Sequence, residues 1–216
     1  TAPTTNAALR AICIAQGAPT GSIGFITAPA AGQINTTSGG NRDLDTEEAE
    51  TLTVGFVWSP IDNLTLSLDY FKIDLEGAIS EPAIDDVVNG CFGSSFNPSL
   101  EFNTACSNIR RNPVDGSLNG SPADVLGVVV ASTNQGVIET SGLDFGAAYG
   151  WEFGDMGRLS WNLNATYTFE NKFQATPVST NRDCLGYYSI NCGNLQPELV
   201  ANQRFTWSYN AFDVSL

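Results

Sequence analysis

Leu159-Ser160-Trp161-Asn162-Leu163-Asn164-Ala165-Thr166-Tyr167-Thr168-Phe169-Glu170 decides the fold. Every odd position is apolar and every even position is polar. That is the two-residue period of a strand whose faces meet different surroundings. The alternation holds over about 11 residues, and a strand of that length tilted by about 45° crosses ~26 Å at ~3.4 Å per residue. The apolar band of an outer-membrane barrel is about 25 Å tall, whereas strands of soluble domains stop near 5–6 residues.

The same pattern recurs on either side. Leu52, Val54, Phe56 and Trp58 alternate with Thr51, Thr53, Gly55 and Ser59, and Pro60 ends the run. Leu64, Leu66, Leu68 and Tyr70 follow. After Tyr70 the phase flips, so that Phe71, Ile73 and Leu75 become the apolar set. The flip predicts either a β-bulge near Tyr70 or the point at which the strand leaves the apolar layer. Leu143, Phe145, Ala147, Tyr149 and Trp151 form a third strand, and Phe205, Trp207 and Tyr209 a fifth. Val214–Leu216 starts a sixth. Short turns at 61–63, 154–157 and 210–212 alternate with long connections at 1–48, 80–136 and 174–198. Outer-membrane barrels have this rhythm, with short periplasmic turns and long extracellular loops. Aromatic residues gather at the strand ends, as rings do at a membrane interface.

The expected fold is therefore all-β: an antiparallel up-and-down transmembrane β-barrel segment of about five full strands plus the start of a sixth. Five strands cannot close a barrel. Thr1 opens the chain without Met and the last strand stops at Leu216, so the chain reads as a fragment without a plug domain. Residues 1–48 are expected to be an extracellular loop free of helix. Residues 49–216 are expected to be the partial barrel. Within the connection 80–136, a short helix is expected near Ile84–Asn89 and a short strand near Val125–Ala131.

Composition narrows the function. The 216 residues carry a net charge of -14, with 9 Lys and Arg. Phosphate binding needs cationic side chains, so nucleic acid is excluded as a partner. Charged residues are 15% of the chain, well below the roughly 25% of a typical soluble domain. There is no His, which removes His-based catalysis, His-ligated zinc and His proton shuttles. No catalytic constellation, metal site or cofactor is expected. The paired carboxylates Glu47/Glu48 and Asp85/Asp86 read as solvated loop charge.

Cys91 and Cys106 fall in one long connection and Cys184 and Cys192 in another, so two in-loop disulfides are expected in an oxidising compartment. Cys13 is expected to pair upstream of this chain. Arg110-Arg111 is the only basic doublet and reads as a surface pair, with an anionic cargo group as the alternative. Tyr187-Tyr188 reads as loop packing or as a stacking platform for a flat cargo. Asp69, Asp144, Asn162, Asn164 and Glu170 fall on polar strand faces and are expected to line the lumen.

Gly40-Asn41-Arg42-Asp43-Leu44-Asp45-Thr46-Glu47-Glu48 resembles the Gly-Asn-x-x-Leu-x-x-Glu segment that precedes a barrel strand in TonB-dependent outer-membrane receptors. Thr53–Pro60, Leu66–Ile73 and Ser141-Gly142-Leu143-Asp144 are similar to stretches of the same family. Arg42 and Thr46 stand where members often carry Pro. The resemblance implies an active importer of ferric siderophores, haem, cobalamin or glycans, driven by the TonB complex through an N-terminal region outside this chain. It also implies contact with outer-membrane lipid and lipopolysaccharide. A passive porin and a secreted glycan-binding β-sandwich are the competing readings. The first differs in lacking a plug, and the second should stay soluble and monomeric without detergent.

Overall fold

A computed structural model describes residues 6–29, 32–189, 192 and 195–216. Its main sheet holds β2 (Glu48–Trp58), β3 (Leu64–Ser80), β6 (Thr133–Glu152), β7 (Arg158–Gln174) and β9 (Leu199–Tyr209), with β10 (Phe212–Ser215) at one edge. The spatial order is β10-β9-β7-β6-β3-β2, and the two-residue β8 (Arg182–Asp183) pairs with β7 off that path. The long strands thus neighbour one another in chain order, with the short β4 (Ile109–Arg110), β5 (Gly127–Ala131) and β8 falling in the connections, which is an up-and-down meander. The pairs β2–β3, β7–β9 and β9–β10 are antiparallel. The sheet is open, with β2 and β10 as its edges. Five long strands and the start of a sixth stand where the alternation places them. β6 starts earlier than its apolar alternation, at Thr133, because a strand keeps pairing after its outer face has left an apolar environment.

The phase flip at Tyr70 has a register explanation. β2 and β3 pair without interruption from Glu48↔Glu76 to Trp58↔Leu66. No bulge therefore interrupts β3 opposite β2. Along this face the pairs pass from apolar to polar within one step: Val54 pairs with Tyr70, Leu52 with Lys72, Glu50 with Asp74 and Glu48 with Glu76. Of the two expectations, departure from the apolar layer is the one that fits.

An irregularity does occur between β6 and β7. Thr166 Oγ1 donates to Asp144 Oδ1 at 2.6 Å, and Ser141 Oγ donates to Glu170 Oε1 at 3.0 Å. Between these contacts β6 advances three residues (141 to 144) and β7 four (166 to 170). In regular strands Ser141 and Asp144 would face opposite ways while Thr166 and Glu170 face the same way. One extra residue in this stretch, as in a β-bulge, reconciles them.

The chain divides into two compact units. One holds the long strands. The other is drawn from the chain up to Glu47, Gly77–Val137 and Gln174–Asn181. The second unit has its own three-stranded sheet, β1 (Thr36–Gly39), β5 (Gly127–Ala131) and β4 (Ile109–Arg110), in the order β1-β5-β4. It also contains α1 (Ala7–Ala15), α2 (Ile84–Phe92) and α3 (Thr104–Ser107). Ile12, Val87, Cys91, Ala105, Cys106, Ile109 and Val128 form one buried cluster. Burial of each large aliphatic side chain among them stabilises by about 1.5–3 kcal/mol.

α1 corrects the expectation of a helix-free first segment. Asn6 caps it by accepting from the Leu9 N–H at 3.1 Å, which satisfies one of the unpaired donors at the helix start. Ile12 and Cys13 form its buried side. Helix α2 extends the expected Ile84–Asn89 to Phe92, and β5 falls inside the expected 125–131 run. Asp86 departs from the solvated reading: it lies within α2, 3% exposed. Glu47 is also engaged, since its Oε1 accepts from the Ile79 N–H at 2.7 Å.

Candidate functional site

Strand alternation and sheet register assemble one polar face. On β7, Asn162 pairs with Arg204 and Asn164 with Asn202 of β9. Thr65, Ser67, Gly146, Asn162 and Asn164 line a shallow hollow of about 180 Å³. Gly146 leaves room there for the Ser67 hydroxyl, which a Cβ at that position would displace. Asp69, two residues beyond Ser67, pairs with Gly55, and a Cβ on Gly55 would collide with the Asp69 carboxylate. Asp144 reaches the same face through Thr166, two residues beyond Asn164. Four of the five residues expected to line the lumen thus share one surface. Glu170 lies beyond the irregularity, where alternation no longer carries it to that surface; it is held by Ser141 and by an ion pair with Lys172. The face offers amides, hydroxyls and carboxylates, with Arg204 beside them and Arg158 toward the short turn. Its chemistry is hydrogen bonding to neutral polar groups.

The opposite face is apolar and aromatic. Leu159 pairs with Trp207, Trp161 with Phe205, Ala165 with Ala201 and Tyr167 with Leu199. The rings of Trp207 and Tyr209 stack 5.8 Å apart, and Tyr149 meets Trp151 edge-on at 4.3 Å. These rings lie beside the short turns, as the interface reading requires.

The loop candidates separate. Arg110 is exposed on β4. Arg111 turns inward: its Nε donates to Gln16 Oε1 at 2.9 Å and its Nη1 to the Gly116 carbonyl at 3.1 Å. Burial lowers the Arg111 pKa from its ordinary value. The doublet is therefore not a two-guanidinium clamp, and Arg110 alone stays available. Tyr187 and Tyr188 are 70% and 77% exposed. They lie between Cys184 and Cys192, whose disulfide is formed. Residues 190, 191, 193 and 194 of that connection, like 1–5, 30 and 31 of the first, are outside the described residues.

The second expected disulfide, Cys91–Cys106, is also formed. Gln16, which sequence reading passed over, completes its surroundings. It is 3% exposed. Its Nε2 lies 3.4 Å from Cys91 Sγ and 3.4 Å from the Cys106 carbonyl, while its Oε1 takes the bond from Arg111. A lone Gln at a helix end carries no sequence signal for such a role. Cys13, whose expected partner lies outside this chain, forms no disulfide among the described residues and packs with Ala18, Ile23 and Ile26 as a small hydrophobe.

Comparison with known proteins gives one family. Residues 3–215 match the family model described as TonB dependent receptor-like, beta-barrel. Among solved structures, the chain is similar to the FrpB iron transporter from Neisseria meningitidis at 13% identity and a TM-score of 0.43, over 82% of this chain and 19% of that one. It is similar to the ferric enterobactin receptor PfeA from Pseudomonas aeruginosa at 15% identity and a TM-score of 0.45, over 81% of this chain and 18% of that one. The chain thus spans under a fifth of the length of these two structures. No curated protein matches it. With residues 3–215 matched by the family model and the strands, turns and faces laid out as above, this chain belongs to the TonB-dependent receptor β-barrel family of the bacterial outer membrane.

Proposed function

We propose that the protein containing this chain is an outer-membrane receptor that imports a scarce nutrient with energy from the TonB complex. The cargo is a ferric siderophore, haem, cobalamin or a glycan. The protein is a transporter and not an enzyme. The observation that carries this reading is the family match over residues 3–215, on a sheet of long strands with one apolar and one polar face.

In this reading residues 1–48, 80–136 and 174–198 are surface loops, and residues 49–216 outside them are barrel wall. Asp69, Asp144, Asn162 and Asn164 line the lumen and hydrogen-bond the plug or the cargo. Tyr187, Tyr188 and Arg110 make first contact with cargo, since binding residues concentrate on loops held by a rigid scaffold. The net charge of -14 disfavours a highly anionic cargo by long-range steering. Neutral glycans and flat chelates fit better. The TonB complex is engaged through a region outside this chain, and lipid and lipopolysaccharide contact the outer face.

The test is growth of a strain deleted for the full-length gene, with ferric chelates, haem, cobalamin or glycans supplied one at a time as the limiting nutrient. A defect on one of them, restored by the full gene, supports the proposal. Growth equal to the parent on all of them contradicts it.

A further inference from the structure

At the turn between β6 and β7, five apolar side chains and one carboxylate surround an open groove of about 600 Å³: Phe153, Asp155, Met156, Leu159, Trp207 and Tyr209. The turn is fixed in place. The Phe153 N–H donates to the Gly157 carbonyl at 2.8 Å, and Trp207 Nε1 donates to the Met156 carbonyl at 2.9 Å. The indole is thus held to the turn by its N–H edge with its only donor satisfied, so its ring offers apolar surface. Phe153 and Met156 are exposed at the mouth of the groove.

We propose that this groove is a binding site for one phospholipid of the inner leaflet, with an amine-bearing headgroup. Two observations choose this occupant. The groove continues the lipid-facing surface: Leu159 and Trp207 are paired residues of that face, so the groove opens to hydrocarbon at the periplasmic end of the strands. An acyl chain enters it without leaving the apolar layer. The headgroup choice follows from charge. Asp155 is exposed on the rim, whereas the nearby Arg158 guanidinium is taken up by Glu152 at 3.4 Å. A free carboxylate attracts an ammonium and repels an anionic headgroup. The site rests on the outward placement of this face, and it does not depend on cargo or on TonB.

The experiment uses the full-length protein purified in detergent and given equal amounts of phosphatidylethanolamine and phosphatidylglycerol with the same acyl chains. Retained lipids are read by native mass spectrometry. The expected result is roughly two- to fivefold preference for phosphatidylethanolamine, the size of an exposed ion pair. Asp155→Asn should abolish the preference, and Phe153→Ser should lower retention of both lipids. Heat-modifiable migration on gels reports folding of each variant. Equal retention of the two lipids by the unaltered protein overturns the proposal, and that comparison needs no variant to fold. A preference that survives Asp155→Asn also overturns it, as does retention of lipopolysaccharide or detergent alone.

Discussion

Trp161 on β7 stacks over Phe205 on β9, with ring centroids 6.2 Å apart and planes inclined by 23°. The two residues are directly paired in register, and the next pair along, Asn162 with Arg204, occupies the other face. An aromatic pair of this kind contributes about 0.5–1.5 kcal/mol beyond its burial. Its main meaning is directional, because it fixes which side of the sheet is apolar over the middle of two strands.

The direction predicts unequal effects of one charge at adjacent sites. Leu163 lies on the Trp161 side and Asn164 on the polar side. Leu163→Arg should destabilise the full barrel in lipid by about 2–4 kcal/mol, and Asn164→Arg by much less. Equal losses, read by denaturant titration of folding into bilayers, would contradict the assignment of faces.

The disulfides predict a local mass map. Non-reducing digestion of the full-length protein should find Cys91 with Cys106 and Cys184 with Cys192. Closing a loop of ~15 residues contributes about 3 kcal/mol in the chain-entropy model, so Cys91→Ser with Cys106→Ser should speed proteolysis around α2. A peptide joining Cys91 to Cys184 would contradict the in-loop pairing.

Gln16 predicts a cost that its sequence context hides. Gln16→Ala removes the partner of Arg111 Nε and leaves a partly buried donor unpaired, at about 1–3 kcal/mol. Hydrogen exchange should quicken in α1 and in the segment around Arg111, while the long strands stay protected. Unchanged exchange in both would show that the Gln16 contacts are incidental.

Tyr187 and Tyr188 predict a binding effect without a folding effect. Replacing both by Ala in the full-length protein should weaken cargo binding and leave the barrel heat-modifiable. Affinity equal to that of the parent would remove them from the recognition surface.

The long strands were legible because lipid imposes a strict demand: each residue of a spanning strand faces either hydrocarbon or the inner side. Leu159–Glu170 states that demand residue by residue. β6 was legible only from about Gly142, because Thr133–Thr140 carries no apolar alternation and its pairing is decided by β3. The bulge signal at Tyr70 was ambiguous since one phase flip has two physical causes, and only the register with β2 separates them. α1 was missed although Asn6 is a fitting cap and Leu9, Ile12, Cys13 and Gln16 recur at helical spacing. The surrounding Ala, Gly and Pro residues drew attention to turns. Arg111 and Asp86 illustrate a wider limit. Sequence shows a charge, but its burial depends on partners such as Gln16 that are far away in the chain.

The central claim is active import across the outer membrane, and its most direct measurement is accumulation of the growth-limiting cargo, radiolabelled, in cells expressing the full-length protein. The account predicts uptake that falls to the level of the deletion strain when TonB is absent or the proton-motive force is dissipated, because the outer membrane has no energy source of its own. Undiminished accumulation without TonB would contradict it and favour a passive pore.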